Sequence, residues 1–90
     1  MTRVSARGAD FTGANFNDAD MTGAMAQGAV FDRVNINVTL MSSAQFSGAS
    51  FRDANISGSY GDKSIFFGAD FSGANVANSD FTRATLDRAL

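Results

Sequence analysis

The chain is ninety residues long, enough for one small domain over 1–90, and 44% of its residues are apolar, which separates it from disordered chains. It holds no Pro, Cys, His, Trp or Glu, which excludes disulfides, thiolate zinc sites, thiol enzymes and nucleophile–imidazole pairs. A net charge of −2 is too small to imply a partner, and no apolar run approaches the roughly 18–20 residues of a membrane span.

In chain order, Met1–Arg7 lacks the apolar core of a secretion signal. From Gly8 the chain keeps a beat of five: Gly8-Ala9-Asp10-Phe11-Thr12, then Gly13-Ala14-Asn15-Phe16-Asn17, then Ala19-Asp20-Met21-Thr22 after one changed residue. The beat continues through Phe31, Ile36, Met41, Phe46, Phe51 and Ile56, changes its composition over 57–67, and resumes from Gly68 to the end. With centres at every fifth residue from Ala6 to Leu86, eight of the nine Phe are centres. Twelve of the fifteen Ala lie two residues before a centre, and eight of the nine Gly two residues after one.

A period of five matches neither a helix nor an alternating strand. A chain that turns one large and one small apolar residue inward every five residues, with polar turns between, predicts a solenoid with five-residue sides. Stacked coils place equivalent residues over one another, so the number of sides follows from the spacing that gives uniform columns. A spacing of twenty aligns Phe11, Phe31, Phe51 and Phe71, and likewise Asn15, Asn35, Asn55 and Asn75. A spacing of fifteen breaks the Asn column into Asn15, Val30, Gln45, Tyr60 and Asn75. Four sides per coil are therefore expected. The core columns are Phe11, Phe31, Phe51, Phe71, Phe16, Ile36, Ile56 and Val76, and the Asn column is expected to bond coil to coil as a ladder. Outside, Asp32 is expected over Arg52 and Arg33 over Asp53 as exposed, weak ion pairs.

The units Ala9–Gly13, Ala14–Asp18, Ala19–Gly23, Ala69–Gly73 and Ala74–Asn78 read Ala, then Asp or Asn, then a large apolar residue, then two mostly polar ones. This closely resembles the pentapeptide-repeat family over essentially residues 4–90. The resemblance implies an all-β fold: a right-handed quadrilateral parallel β-helix of about four and a half coils, four pentapeptides to each. At about 4.8 Å per coil the resulting rod is only about 20 Å long.

Function is best sought where the repeat departs from itself. Gly61 occupies a centre that Met41 and Phe81 fill in neighbouring coils. Either Tyr60 turns inward to fill the gap in a local bulge, or a distorted coil presents Tyr60 outward. On both readings 59–64 is expected to be the least regular segment. The outward position before each centre, normally Asp or Asn, holds Met25, Val30, Leu40, Tyr60, Ile65 and Leu90, and Phe67 is the one Phe outside the core class. Leu40 and Tyr60 stack on one side, Met25 and Ile65 lie on the next, and Phe67 adjoins Ile65. Leu40, Tyr60, Ile65, Phe67 and Met25 form the candidate interaction patch. The last coil is expected to expose Leu86 and Leu90. That suggests end-to-end pairing of two copies through the C-terminal coil, a partner over that end, or a domain cut from a longer protein.

No catalytic, cofactor or metal site is expected. The nine Asp spread over several faces, and Asp10 with Asp70, or Asp20 with Asp80, lie three coils apart, about 14 Å. The Gly-rich phrases are corners without the following helix or Lys-Ser/Thr pair of a phosphate loop. The six Arg and one Lys make no aromatic-interleaved stripe, against nucleic-acid binding. The leading reading is a non-catalytic protein–protein interaction or scaffold module that binds another protein by its outer face or ends. The alternative implied by the resemblance is a DNA-mimicking inhibitor or protector of gyrase, a type II topoisomerase. That role calls for a dense acidic stripe and a dimerising C-terminal extension, and the chain has neither. The sequence leaves the compartment open between the cytoplasm and the plastid or thylakoid lumen.

Overall fold

A computed structural model describes residues 5–81. Leu86, Leu90 and the pairing expected through the C-terminal coil lie outside the described residues.

Each five-residue unit contributes one tight turn and one backbone bridge. The turn spans the centre and the three residues after it, as in Phe11–Ala14, where the Ala14 N–H donates to the Phe11 carbonyl at 2.9 Å. Its third residue is left-handed: every fifth residue from Gly8 to Asn78 has φ between 54° and 75°. Such a closing hydrogen bond with positive φ at the third position is the signature of a type II turn. This explains why Gly gathers two residues after the centre. At Gly73 a second constraint is added, because a Cβ there would run into the Asp53 carboxylate.

The residue before each centre bridges in parallel to the residue twenty positions on, as in Asp10–Val30–Ser50–Asp70 and Asn15–Asn35–Asn55–Asn75. Turns follow one another so closely that each side holds an isolated bridge and not an extended strand. Hydrogen bonds leave each bridge in both directions: Val30 donates to the Ala9 carbonyl at 2.8 Å, and Phe31 to the Ser50 carbonyl at 2.6 Å. Four turns and four bridges per twenty residues make a four-sided parallel β-helix. Its extents, 27 × 26 × 22 Å, describe a squat block more than the rod expected from the sequence.

The core is a set of ring columns. Phe11, Phe31, Phe51 and Phe71 stack with centroids 5.1, 5.0 and 5.1 Å apart and nearly parallel planes. Phe46 and Phe66 stack beside them at 5.1 Å, and the two columns meet edge to face, as in Phe46–Phe51 at 5.3 Å. Such pairs add about 0.5–1.5 kcal/mol beyond the area they bury. Phe31, Phe51, Ile36 and Ile56 are fully buried, with small residues such as Ala29 and Ala49 against them, whereas Phe11, Phe16 and Phe71 are partly buried. Val76, expected in the core, is 45% exposed. Its column runs Phe16, Ile36, Ile56, Val76, and Val76 stands in the last described coil.

Two expected contacts differ. The Asn column is a column of backbone bridges, but its amides do not join coils. Asn15, Asn55 and Asn75 use Oδ1 to accept the N–H two residues on, from Asn17, Ser57 and Ala77, at 2.9, 3.3 and 3.0 Å. This local turn bond outcompetes the longer reach to the next coil. Side-chain bonding between coils lies two residues later, where Asn17 Oδ1 accepts the Asn37 N–H at 3.0 Å and Asn37 Oδ1 accepts the Ser57 hydroxyl at 2.9 Å. Asp32 likewise meets Arg52 through the backbone amide, at 3.1 Å, and the Arg52 guanidinium instead approaches Asp70 at 3.9 Å.

One core column is polar. Thr39, Ser59 and Ser79 stand where most units have Ala, and Thr39 and Ser59 are completely buried. The Thr39 amide donates to Ser59 Oγ at 3.1 Å, and the Ser59 amide to Ser79 Oγ at 3.2 Å. The hydroxyls donate in turn to the carbonyls of Phe16, Ile36 and Ile56. A ladder of hydroxyls thus replaces the usual turn-closing bonds at the corners 36–39 and 56–59.

Candidate interaction surface

The residue before each centre faces outward, and there the helix places side chains it does not need for its core. Leu40 and Tyr60 occupy consecutive coils of one side, bridge directly to each other, and are 44% and 51% exposed. Their column reads Asp20, Leu40, Tyr60, Asp80, so two apolar residues are bracketed by acids. Ile65 opens the next side and Phe67 stands at the corner after it, both exposed. Between the two groups lies the corner of Asp62 and Lys63.

The sequence-based patch is therefore two apolar groups on adjoining sides. Met25 joins neither. It is half-buried, and Gln45 separates it from Ile65 in their column, held there by the Gln27 amide, which donates to Gln45 Oε1 at 2.5 Å. One residue was missed. Val38, at the corner before Leu40, is 52% exposed and is left-handed at φ 54°. Its signal in the sequence was a β-branched residue in the class that holds nearly every Gly.

The Gly61 break resolves in a third way. The backbone over 59–64 keeps the same turn and bridge as its neighbours, with Gly61 donating to the Asp80 carbonyl at 2.6 Å. Tyr60 points outward, yet no cavity is left. The Phe81 ring leans into the space, with Cδ1 2.5 Å and Cε1 2.7 Å from where a Gly61 Cβ would stand, while Ser64 Oγ closes the other flank at 3.0 Å. The segment expected to be least regular is regular because the next coil supplies the missing side chain.

Asp10, Asp20 and Asp70 each accept a local turn bond from two residues on. The Thr12 hydroxyl and amide donate to Asp10 at 2.6 and 2.9 Å, and together hold its carboxyl below the usual range. Asp70 is lowered in the same way, first by the Ser72 hydroxyl and amide and least by Arg52. Among the described residues no three acidic, His or Cys side chains gather where they would hold a metal ion, and no helix is long and apolar enough to cross a membrane. What the surface offers is apolar contact area on a stiff frame.

Comparison with known proteins agrees with this architecture. The family description "Pentapeptide repeats" matches in eight copies over residues 1–37 and 64–89. No curated protein sequence matches the chain. Among solved structures, Rfr23, a pentapeptide repeat protein from the cyanobacterium Cyanothece 51142, is similar with TM-score 0.59 and 15% identity, over 98% of this chain and 88% of that one. HetL, a pentapeptide repeat protein involved in heterocyst differentiation regulation in the cyanobacterium Nostoc sp. strain PCC 7120, is similar with TM-score 0.57 and 20% identity, over 99% of this chain. Full-length QnrB1, a plasmid-mediated fluoroquinolone resistance protein, is similar with TM-score 0.53 and 20% identity, over 90% of this chain. The chain spans 47% of HetL and 57% of QnrB1. At these identities the likeness is one of fold.

Proposed function

The chain belongs to the pentapeptide-repeat family, and from that premise we propose that it is a non-catalytic interaction or scaffold module. Its short β-helix, right-handed and of about four and a half coils at four pentapeptides each, docks another protein through its outer face. The observation that carries this reading is the outward placement of Leu40, Tyr60, Ile65 and Phe67 at positions where the repeat otherwise sets polar side chains. Exposed apolar area costs solubility and adds nothing to this core, whereas a partner that covers it gains about 25 cal/mol per Å². The ladder of backbone bonds on every side makes the frame rigid, so little ordering cost accompanies binding.

The second reading, a DNA-mimicking inhibitor of a type II topoisomerase, is supported by the fold likeness to QnrB1 alone. Mimicry of a duplex asks for a dense acidic face, and here Arg7, Arg33, Arg52 and Lys63 interrupt the Asp residues around the block. Affinity capture tests the two together. Proteins retained by the chain and released by the Tyr60→Ser, Phe67→Ser double variant support the interaction module. Inhibition of gyrase supercoiling at micromolar chain, unchanged in that variant, supports mimicry instead.

A further inference from the structure

We infer that Gly61 makes a socket for which two rings compete, and that Phe81, by filling it, holds Tyr60 out on the surface. The inference concerns where Tyr60 stands and depends on no partner. Eight of the nine Gly stand at left-handed corners, where the turn itself calls for them. Gly61 does not. It occupies a centre, in a column whose other described members, Met21, Met41 and Phe81, carry large side chains. The backbone there has no need of glycine. What glycine supplies at this position is room.

Phe81 takes that room from the coil above. Its Cδ1 and Cε1 come within 2.5 and 2.7 Å of where a Gly61 Cβ would stand, so the ring rests on the Gly61 backbone. Tyr60 is the next residue along that backbone and leaves it on the outward side, 51% exposed. With Phe81 in the socket, a Tyr60 ring turned inward meets an occupied space. With Phe81 gone, a void of ring size opens directly behind Tyr60, a defect that cores resist. Glycine at 61 then gives the chain the freedom to turn Tyr60 into it. Ser64 is completely buried and lines the socket, its Oγ 3.0 Å from the Cβ position and donating to the Gly61 carbonyl at 2.5 Å. One side of the socket is thus polar, which suits a phenol as well as a phenyl ring.

Phe81 is less firmly held than the rings below it. It is partly buried and meets Phe66 edge to face at 5.5 Å, whereas Phe46, Phe51 and Phe66 are fully buried. The two rings make a two-state element: Phe81 in with Tyr60 out, as in this structure, or Tyr60 in with Phe81 displaced. Leu40 and Tyr60 stand together on the surface only in the first state, so a ring one coil above governs the outward apolar face.

Tyr60 is the only Tyr and the chain has no Trp, so tyrosine emission reports this position alone. In the parent protein the neutral quencher acrylamide should reach Tyr60 readily. Phe81→Ala is expected to lose most of that quenching while its circular dichroism stays that of the folded parent. Phe81→Leu, which removes less of the ring, should show the same change to a smaller extent. Gly61→Met combined with Phe81→Ala refills the socket from below and should restore the parent's quenching. Unfolding has the opposite sign, because an unfolded chain exposes Tyr60 more, so Phe81→Leu decides the matter if Phe81→Ala does not fold. A folded Phe81 variant whose Tyr60 is quenched as fully as in the parent would overturn the inference. So would a loss of quenching that Gly61→Met leaves uncorrected.

Discussion

The amide of Thr39 donates to the hydroxyl of Ser59, one coil away and 3.1 Å distant, where most described corners close on their own carbonyl. The Ser59 hydroxyl passes the bond on to the Ile36 carbonyl, the group that Thr39 would otherwise have reached. One buried side chain is thus inserted into a backbone turn. Ser59→Ala removes it and leaves a buried donor and acceptor facing each other across the corner. If the corner stays open, the cost is about 1–3 kcal/mol, read from chemical denaturation. A cost below about 0.5 kcal/mol would show that the corner recloses as its neighbours do.

Phe51 lies between Phe31 and Phe71 in its own stack and meets Phe46 and Phe66 edge to face. Rings above, below and beside it are tied to backbone bridges, so the walls cannot collapse into a vacated site. Phe51→Ala is expected to cost about 3–5 kcal/mol. A melting temperature lowered by only a degree or two would contradict the stacked column.

Gly61 and Phe81 share one space. Gly61→Met drives a side chain into the Phe81 ring and is expected to cost about 1–3 kcal/mol, since that ring also packs on Phe66. Adding Phe81→Ala to this variant should recover part of the loss, because the new Met then has room. Stabilisation by Gly61→Met alone would show a cavity that the structure does not contain.

Val38 should be a position where substitution helps folding. Asn tolerates the left-handed region far better than a β-branched residue, so Val38→Asn is expected to stabilise the chain by about 1 kcal/mol. Equilibrium denaturation decides it, and a loss of stability would mean that the Val38 side chain packs to some purpose.

Asp10 and Asp70 have folded pKa values below the ordinary carboxylate value because hydroxyl and amide donors favour the charged form. Their contribution to stability is therefore present above that ordinary value, about 3.9, and is lost as pH falls through the lower folded value. Carboxyl NMR titration should show both groups releasing protons at lower pH than Asp in a short peptide. Thr12→Ala should return Asp10 towards the peptide value, and Asp10 left unmoved in that variant would contradict the turn as the cause.

Much of this was legible in the sequence because a solenoid writes its coil length into its columns. The alignment of Phe11, Phe31, Phe51 and Phe71 already gave the twenty-residue spacing of the bridges. Residue class, however, says which face a side chain takes and not what it reaches. Asn15 could bond up a coil or forward to Asn17, and only the backbone turn decided between them. Gly61 reads as a hole until Phe81 is seen leaning into it. Val38 was hidden for a different reason, since its exposure follows from a corner geometry that the five-residue class marks for Gly. The hydroxyl ladder was readable: Thr39, Ser59 and Ser79 are a spacing-twenty column of polar residues in the small class.

The claim that Tyr60 and Phe67 serve binding and not folding is tested most directly by the Tyr60→Ser, Phe67→Ser double variant, measured for stability and partner retention in the same preparation. The account predicts stability within about 0.5 kcal/mol of the parent, as for exposed positions outside the core. It also predicts loss of the captured partners, with the two aromatics each contributing about 2 kcal/mol or more of affinity. A collapsed melt would show that these side chains belong to the core, and an unchanged melt with full retention would show that the outward apolar residues bind nothing.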